Sequence, residues 1–555
     1  MKKLCAAWLL FACALAGASR EPVRARKAMV VTHEDHATQA GLRVLEQGGN
    51  AIDAAVAVGF ALAVTHPAAG NIGGGGFMLV RLADGRSTFI DFRERAPRRA
   101  TPGMYLDSVG NVTGDRLFGY RASGVPGTVR GLEYASKKYG RRMWADLLAP
   151  AIELAKNGFP VSYDLANSLR SSEALERNSE SRRIFQRNGK YFEPGEILIQ
   201  PELAATLERI SKFGSRDFYA GETAQRLAAD MARHGGLIGL QDLQQYQVVE
   251  RRPLDGSYRG YEILTAPPPS SGGAGMIQML NMLDGSGYEK TGAGSAATIH
   301  YIAEVMRRFF ADRSKYFGDP DFVKIPLREL LSRHYAEERR RSIDPERATP
   351  SAQLGPGDLQ GYESGETTHY SILDAEGNAV AVTYTLNARF GSGVTAAGLG
   401  FLLNNEMDDF TAKPGVPNMF GLLQSQANAI APGKRPLSAM TPTIVTRDGK
   451  PFLILGSPGG PTIISTVLLV TLNVIDFGMD VQQAVDWPRF HHQWMPDELR
   501  LEESGFSPDT VELLRRRGHK LRISGYQGDV AAIECKDGWI LGAPDSRTEA
   551  TARGY

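Results

Sequence analysis

Residues 363–387, ESGETTHYSILDAEGNAVAVTYTLN, decide the fold prediction. Two alternating arms flank the tripeptide AEG at 375–377, which is typical of a three-residue hairpin loop with Gly377 at the position that requires a positive φ. Counting outward along both arms places Thr367 opposite Thr385. The sequence therefore predicts a β-hairpin that begins at Thr367, directly after a polar, glycine-containing lead.

The second arm of this hairpin has two different faces, because successive side chains of a strand point to opposite sides. One face carries Ala379, Ala381, Thr383, Thr385 and Asn387, and the other carries Val380, Val382, Tyr384 and Leu386. The apolar face predicts contact with a core. The small, polar face fits either the floor of a site or an ordinary half-exposed strand, since threonine is common in strands.

Thr367 is a candidate nucleophile if the backbone is cut before it. A threonine hydroxyl needs a neighbouring base, and a new α-amine with a pKa of about 7.7–8.0 would provide one on the same residue. Residues 343–366 are rich in Pro, Gly, Ser and charge without any period, which predicts a mobile segment able to bend into such a cut. Such a cut would fall between Glu366 and Thr367.

The rest of the chain divides into strand-rich and helix-rich parts. Residues 38–67 read as two helices separated by Gly-Gly-Asn at 48–50, and residues 73–97 read as strand, turn and strand. Residues 131–335 are mainly helical in pattern, and strands return after residue 366. Because separated strand groups can join one sheet, we predict an α+β domain with a large helical insertion.

Composition excludes some classes of function. The 63 basic and 62 acidic residues nearly cancel, so charge gives no support for nucleic-acid binding. The apolar run at 54–64 is shorter than the roughly 20 residues of a membrane span and reads as a core helix capped by Asn50. The glycine run at 73–76 leads into a strand without Gly-Lys-Ser/Thr, so it is not a P-loop.

The first 18 residues have the pattern of an export signal. Lys2 and Lys3 precede an apolar stretch and small-residue steps up to Ala18. We expect a cleaved signal peptide at 1–18 and a periplasmic or secreted protein; lipidation at Cys13 is an alternative that a bulky residue two positions before it disfavours. Cys535 is then left alone, in a strand-like setting, so no internal disulfide is predicted.

Histidine-containing motifs do not predict a metal site. His33-Glu34-Asp35-His36 lacks the His-Glu-x-x-His spacing and reads as a helix entry. His491 and His492 precede a tryptophan and are expected to pack or cap there. We predict neither a metal nor a cofactor.

A set of nine segments identifies a family when taken together. They are TTHYSILDAEGNAVAVTYTLN, LLNNEMDDF, PGVPNMFG, KRPLSAMTPTIV, GSPGG, DFRERAP, GGGGFMLVRL, PPPSSGG and PRFHHQW. From about residue 28 to residue 555 the chain resembles gamma-glutamyltranspeptidase, a family of N-terminal-nucleophile hydrolases. The resemblance implies a four-layer αββα sandwich and a precursor cut into a large subunit, 19–366, and a small subunit, 367–555. The two would stay together as a heterodimer that forms one αββα domain.

The resemblance also implies a role for each matching residue. Thr367 would be the nucleophile with its α-amine as base, and the Thr385 hydroxyl would orient it. The Gly459 and Gly460 amides would bind the oxyanion. A γ-glutamyl substrate would be held by Arg93 and Ser438 at its α-carboxylate and by Asn387, Glu406 and Asp409 at its ammonium.

Without the resemblance, several of these residues have ordinary interpretations. GSPGG is a plain turn, and Arg93 is a surface ion pair with Asp91 or Glu94. Residues 404–409 fit a solvated turn or a calcium loop, although the EF-hand spacing is missing. All three interpretations remain open at the level of sequence.

The chain also departs from many relatives at three positions. Ala439 stands where a second serine follows KRPL, so one carboxylate hydrogen bond is lost or left to the backbone. Phe420 replaces a tyrosine of the expected lid, 414–421, and Glu406 replaces the glutamine of some bacterial members. Substrate affinity and acceptor preference are therefore open.

The resulting hypothesis is a self-processing γ-glutamyl transferase and hydrolase. It would act on small γ-glutamyl compounds such as glutathione and pass the acyl group to water, amino acids or peptides. A related glutaryl-cephalosporin acylase or poly-γ-glutamate-processing enzyme is the alternative within enzymes. A non-catalytic periplasmic binding protein for glutamyl compounds is the alternative outside them.

Overall fold

The computed structural model describes residues 19–354 and 367–555. Two large antiparallel sheets of seven strands each lie face to face, and helices cover the outer side of each sheet. This arrangement confirms the predicted α+β class and the four-layer αββα sandwich.

The first sheet lies at the side of the C-terminal helices. Its strands, in spatial order, are Val23–Ala25, Trp539–Pro544, Ala531–Lys536, Lys450–Leu455, Thr443–Arg447, Tyr261–Thr265 and Leu254–Tyr258.

The second sheet carries the hairpin. Its strands, in spatial order, are Thr551–Gly554, Met29–Thr32, Thr368–Leu373, Ala379–Thr385, Gly75–Arg81, Ser87–Asp91 and Val249–Arg251. In both sheets, strands from before residue 355 alternate or pair with strands from after residue 366. The two halves of the chain are therefore interlocked in one structure.

Helices from the N-terminal half cover the second sheet and extend into the helical insertion. They are Asp35–Glu46, Ala51–Thr65, Thr128–Tyr139, Trp144–Asn157, Tyr163–Arg170, Glu173–Glu176, Ser179–Phe185, Pro201–Phe213, Ser215–Ala220, Glu222–Arg233 and Leu240–Gln244.

Helices on the other side cover the first sheet. They are Gly272–Leu283, Ala296–Tyr316, Leu327–Leu330, Arg333–Arg341, Thr462–Ile475, Val481–Asp486 and Pro508–Arg516. Three small sheets complete the fold. They consist of Phe159–Pro160 with Ile197–Leu198, Gln186–Arg187 with Lys190–Tyr191, and Phe490–His491 with Leu499–Glu502 and Leu521–Ser524.

The hairpin forms in the predicted register. Thr368 pairs with Tyr384 and Leu373 with Ala379, which is the alignment that counting outward from the loop gives. Gly377 has a φ of 91°, as its place in the loop requires. Local turn chemistry was sufficient to fix this register.

The faces of the second arm are both buried, so the half-exposed interpretation is wrong. Tyr384 lies on the apolar face, and its hydroxyl donates at 2.9 Å to the Gly59 carbonyl in the helix Ala51–Thr65. On the small face, Ala379 and Ala381 pack into the core between the two sheets. Small side chains suit this face because a second sheet stacks directly on it.

The two predicted helices before residue 67 are Asp35–Glu46 and Ala51–Thr65. Asn50 caps the second helix by accepting from the Ile52 and Asp53 amides. Every residue of Ala51–Thr65 is buried between neighbouring helices and the sheet, which explains its uniform hydrophobicity. In the part of the chain that the structure describes, no helix is both long and apolar enough to span a bilayer.

The prediction of a mainly helical block at 131–335 is incomplete. It missed Val249–Arg251, Leu254–Tyr258 and Tyr261–Thr265, which form edges of the two large sheets. A two-residue turn at 259–260, where both φ angles are positive, was the available signal. Of the segment predicted to be mobile, residues 355–366 lie outside the described residues.

Candidate active site

Thr367 lies at the start of the hairpin, between two cavities. It is 7% exposed and lines both of them. We call them the inner and the outer cavity. Glu366, the other residue of the predicted cleavage site, lies outside the described residues.

The inner cavity has a volume of about 20 Å³. All five residues predicted to bind substrate line it, together with residues that the sequence did not single out. The lining is formed by Arg93, Arg313, Thr367, Thr385, Asn387, Glu406, Asp409, Phe420, Leu422, Ser438, Ala439, Met440, Gly460 and Ile463. The fold therefore brings together segments that lie more than 300 residues apart in the chain.

Thr385 and Asn387 continue the second arm of the hairpin into this cavity. The Thr385 hydroxyl accepts from the Asn387 amide at 2.8 Å. Asn387 has a φ of 79°, and its side chain donates to the Asn405 carbonyl at 3.0 Å. These bonds fix the Asn387 side chain between the hairpin and the segment that carries Glu406.

Arg93 follows the strand Ser87–Asp91 and is buried, so the surface ion-pair interpretation is wrong. One guanidinium nitrogen lies 2.5 Å from a Glu406 oxygen, and another lies 2.6 Å from an Asp409 oxygen. Glu94 is further away, at 3.8 Å. Arg93 thus joins the residues predicted to hold the carboxylate to those predicted to hold the ammonium.

Two acidic side chains of the inner site, Glu94 and Glu406, are buried close to Arg93. Burial raises the pKa of Glu94 to about 7, against the opposing effect of Arg93. Burial also raises the pKa of Glu406 well above its ordinary value. Among the described residues, neither Glu94 oxygen has a hydrogen-bond partner, whereas Glu406 has the Arg93 guanidinium at 2.5 Å. An arriving ammonium group would supply the missing positive charge and donors.

Gly459 and Gly460 lie on the loop between the strand Lys450–Leu455 and the helix Thr462–Ile475. Their φ values are 128° and 55°, conformations that favour glycine. A Cβ atom at Gly460 would lie 2.8 Å from the Phe420 ring. Among the described residues, neither amide N–H has an acceptor. Gly459 lines the outer cavity and Gly460 the inner cavity, and Thr367 lines both, so the two amides are candidates for an oxyanion site.

Ser438 also lines the inner cavity, directly after the Leu437 carbonyl to which Arg93 donates at 3.4 Å. Its hydroxyl accepts from the Met440 amide at 3.1 Å, and its carbonyl accepts from the Ser271 hydroxyl at 2.8 Å. Ala439 also lines the cavity but offers no side-chain donor. The serine hydroxyl that this chain lacks at position 439 is therefore missing from the lining of the inner cavity itself.

Of the expected lid, 414–421, the structure places Phe420 in the lining of the inner cavity. Asn418 donates to an Asp409 oxygen at 3.2 Å and accepts from the Phe420 amide at 3.0 Å. The Phe420 ring lines both cavities, and its carbonyl accepts from Gln493 at 3.0 Å. The Phe420 side chain therefore lies between the inner and outer cavities and can contact its neighbours there only by packing, because it lacks the hydroxyl group of the tyrosine found in many relatives.

The outer cavity has a volume of about 440 Å³ and was not predicted. His33 forms a short contact with Asp529 there and lies 3.6 Å from Asp164. Burial opposes protonation of His33, but the two carboxylates outweigh it and raise its pKa well above the ordinary value. The His66 ring lies 4.0 Å from the His33 ring between centroids, tilted by 44°, and burial and the neighbouring positive charge lower the pKa of His66 well below the ordinary value. No sequence motif could have connected these four distant positions.

A second histidine group lies away from both cavities. Ligand atoms of His300, Glu304 and His519 lie within 4.8 Å of one another. His300 and His519 already share a hydrogen bond of 2.8 Å, and Glu304 pairs with Arg308 at 2.7 Å. Because an arginine already neutralises the carboxylate, this group is a weak candidate for a cation.

Other predicted details are consistent with packing roles. His491 bonds to Ser465 at 2.8 Å, and His492 accepts from the Trp494 amide at 3.1 Å. Cys535 lies on the strand Ala531–Lys536, where burial raises its thiol pKa to about 12. The ordinary interpretation of this cysteine therefore holds.

Comparison with known proteins identifies the family. A family model described as Gamma-glutamyltranspeptidase matches residues 37–555. The chain belongs to the gamma-glutamyltranspeptidase family.

Curated relatives agree with this assignment. A protein of Escherichia coli strain K12 named glutathione hydrolase proenzyme is 50% identical over 531 residues, covering 95% of this chain and 91% of that relative. A protein with the same name from Bacillus subtilis strain 168 is 40% identical, with coverage of 95% and 91%. Acylase ACY 1 proenzyme of a Pseudomonas strain, V22, is 38% identical, with coverage of 96% and 94%. The chain is therefore an enzyme of the gamma-glutamyltranspeptidase type, as predicted.

Solved structures support the same fold. Cephalosporin acylase from Bacillus halodurans superposes with a TM-score of 0.84 at 29% identity, covering 97% of this chain and 98% of that one. Gamma-glutamyltranspeptidase from Helicobacter pylori superposes with a TM-score of 0.58 at 46% identity, covering 60% and 96%. The gamma-glutamyltranspeptidase fold is thus shared with acylases, so the identity of the acyl group must be argued from the site.

Proposed function

We propose that this gamma-glutamyltranspeptidase cleaves the γ-glutamyl amide of glutathione and related compounds. The observation that carries the proposal is the position of Thr367, which lines both a small inner cavity, where Arg93 pairs with Glu406 and Asp409, and a larger outer cavity. The inner cavity suits a small zwitterionic acyl group. The outer cavity suits the amine that leaves and the acceptor that replaces it.

Catalysis starts with the α-amine of Thr367 after self-cleavage. This amine takes the proton of the Thr367 hydroxyl as the oxygen attacks the γ-carbonyl carbon of the substrate. The oxyanion that forms accepts from the Gly459 and Gly460 amides, donors whose loss typically costs about 3 kcal/mol. When the C–N bond breaks, the same proton passes to the leaving amine, and a γ-glutamyl ester of Thr367 remains.

The second half of the reaction uses the same groups. Water or the neutral amine of an amino acid or peptide enters the outer cavity and attacks the ester carbonyl. The α-amine of Thr367 accepts the proton of the attacking group and returns it to the threonine oxygen as the ester bond breaks. Thr385, whose hydroxyl is fixed by the Asn387 amide, orients the Thr367 hydroxyl.

Arg93 and Ser438 bind the α-carboxylate, and Asn387, Glu406 and Asp409 bind the ammonium. In the structure Arg93 pairs with Glu406 and Asp409 themselves. Binding then exchanges part of this internal pairing for pairing with the two charges of the substrate. No cofactor and no metal takes part in the proposed reaction.

We also propose that cleavage between Glu366 and Thr367 yields a large subunit, 19–366, and a small subunit, 367–555. Both segments contribute strands to both large sheets, which supports a heterodimer that stays together in one αββα domain. The relatives that are named proenzymes support processing. We further propose that residues 1–18 direct export, which places the mature enzyme in the periplasm or outside the cell.

A glutaryl acylase is the second candidate, since acylase relatives exist at 38% identity. Asp409 and Asn387 argue against it, because a glutaryl chain has no ammonium for them to bind. The expected lid, 414–421, argues against poly-γ-glutamate as the usual substrate, because its Phe420 lines the boundary of both cavities.

Two measurements on the purified protein test the proposal. Stepwise N-terminal sequencing should find a chain that begins Thr-Thr-His-Tyr, and γ-glutamyl anilide should be hydrolysed much faster than glutaryl anilide. A single uncut and inactive chain on a denaturing gel would instead favour a binding protein. A preference for glutaryl anilide would favour the acylase.

A further inference from the structure

We propose that Arg313 is a second cationic ligand for the α-carboxylate of the acyl group and takes the place of the serine that Ala439 replaces. This inference rests on the proposed function, because it concerns how the same substrate is held. It assigns a binding role to a residue outside the motifs that mark the family in this sequence.

Arg313 reaches the inner cavity from the helix Ala296–Tyr316, near its C-terminal end. The residue is 2% exposed, and its Nε donates to the Ser271 hydroxyl at 2.8 Å. Ser271 in turn donates to the Ser438 carbonyl at 2.8 Å. This relay fixes the guanidinium beside the segment that carries Ser438 and Ala439.

The guanidinium of Arg313 is short of partners. Its Nη1 has no hydrogen-bond acceptor among the described residues, and no described carboxylate forms an ion pair with it. Arg308, one and a half turns earlier on the same helix, shows the usual alternative, with Glu304 at 2.7 Å. A buried charge without a counterion is costly, so an anion that enters the cavity gains by pairing with Arg313.

The Arg313 side chain is also expected to carry a positive charge in this position. Burial lowers the pKa of Arg313 to about 10, and Asp409 opposes the effect only through its charge. The side chain therefore stays cationic at neutral pH. Asp409 already lies 2.6 Å from Arg93, so the inner cavity holds a cation that its own carboxylates do not neutralise at contact distance.

Ala439 explains why this second cation matters in this chain. Ala439 lines the cavity next to Ser438 but has no hydroxyl, so only one of the two expected serine donors remains. A guanidinium presents several N–H groups in a fixed plane that suits a carboxylate. Arg93 and Ser438 would then donate to one oxygen of the substrate α-carboxylate, and Arg313 would donate to the other oxygen. Both carboxylate oxygens would have protein donors.

The test uses three anilides that differ only in the acyl group. γ-Glutamyl anilide has both charges, glutaryl anilide lacks the ammonium, and 4-aminobutyryl anilide lacks the α-carboxylate. In Arg313→Met we expect kcat/KM to fall roughly 30- to 100-fold for the two carboxylate-bearing substrates and less than about threefold for 4-aminobutyryl anilide. Equal losses on all three substrates would mean a structural role and would overturn the proposal, as would no loss.

Arg308→Met is the matched control on the same helix. It removes a buried guanidinium of equal size that already has a carboxylate partner and does not line the cavity. We expect any effect of this change to be the same for all three anilides. If Arg308→Met lowered kcat/KM for the two carboxylate-bearing anilides but not for 4-aminobutyryl anilide, the result would contradict the role assigned to Arg313.

Ala439→Ser gives a second test that does not depend on how Arg313→Met folds. If Arg313 already supplies the second donor, the added hydroxyl should change KM for γ-glutamyl anilide less than about twofold. A decrease of roughly tenfold would mean that the carboxylate lacked a donor, and would refute the proposal. The unmodified enzyme separates the two levels of inference: if it does not hydrolyse γ-glutamyl anilide at all, the proposed function fails before Arg313 is tested.

Discussion

The inner and outer cavities share Thr367 and Phe420 in their linings but differ in size and in how their charged side chains are paired. The inner cavity has a volume of about 20 Å³, and Arg93 is buried there against Glu406 and Asp409. The outer cavity has a volume of about 440 Å³, and its His33 is held between Asp529 and the half-exposed Asp164.

This difference indicates that the two halves of the substrate are selected by different means. A small cavity with fixed charges rejects any acyl group that leaves a buried charge unpaired, because such a charge costs several kcal/mol. A large, open cavity distinguishes amines weakly, because water can replace missing contacts. We therefore expect strict selection of the acyl group and broad acceptance of leaving groups and acceptors.

The largest effect should come from Thr367→Ala, which removes the residue that both cavities share. We expect an uncut chain on a denaturing gel and a loss of at least about ten-thousand-fold in anilide hydrolysis. Thr368→Ser, at the adjacent buried position, is the control and should still be cut. A processed, active Thr367→Ala enzyme would contradict the assignment of the nucleophile.

A large effect confined to the inner cavity should come from Asp409→Asn. It removes the negative charge that pairs with Arg93 at 2.6 Å and that we assign to the substrate ammonium. We expect kcat/KM for γ-glutamyl anilide to fall roughly 100-fold, while glutaryl anilide, which has no ammonium, should change less than about threefold. Equal losses on both would show that Asp409 only supports Arg93.

A moderate effect should come from Gly460→Ala at the boundary of the two cavities. The added Cβ would lie 2.8 Å from the Phe420 ring, so the loop must move and the oxyanion donors with it. We expect kcat to fall roughly 30-fold with little change in KM.

Gly478→Ala is the matched control for this change. Gly478 also has a positive φ, 66°, but an added Cβ there meets nothing within 4 Å. Both variants carry the backbone strain of alanine in this conformation, and only Gly460→Ala should lose turnover. Similar losses in kcat would count against the oxyanion assignment.

The smallest effect should come from His33→Gln in the outer cavity. Because Asp529 and Asp164 raise the folded-state pKa of His33, its contribution to stability is complete below about pH 6.5 and disappears as the pH rises through the folded-state value. We expect the variant to melt about 1–2 °C below the unmodified enzyme at pH 6, with a smaller difference at pH 9. γ-Glutamyl anilide hydrolysis should change less than about twofold. A difference in melting temperature that grew with pH would mean that His33 is neutral in the folded enzyme.

Much of the central hairpin could be predicted from local sequence. Gly377 fixed the loop, and the loop fixed the register that places Thr367 at the level of Thr385. The burial of its small face could not be predicted, since Ala379 and Ala381 contact a sheet formed by residues far along the chain. The alternation of apolar and polar residues along a strand predicts that the strand has two faces, but it does not predict which elements pack on each face.

The residues that form the inner cavity could likewise be predicted only in part from the sequence. The family resemblance named Arg93, Glu406 and Asp409, whereas residue patterns alone allowed a surface ion pair and a solvated turn. Arg313 and the His33–Asp529 contact were missed because no short-range pattern links a helix end or a loop to a site formed by distant segments.

The sequence by itself determined the hairpin, the threonine at its start, the two capped helices before residue 67 and the membership of a family. These features depend on turn chemistry, side-chain period and motif order, which act over a few residues at a time. Only the tertiary structure decided which charges meet on each side of Thr367 and how much space surrounds them. The reason is physical: contacts between residues hundreds of positions apart are set by the stacking of two sheets and the packing of helices on them, and short-range patterns carry no record of that geometry.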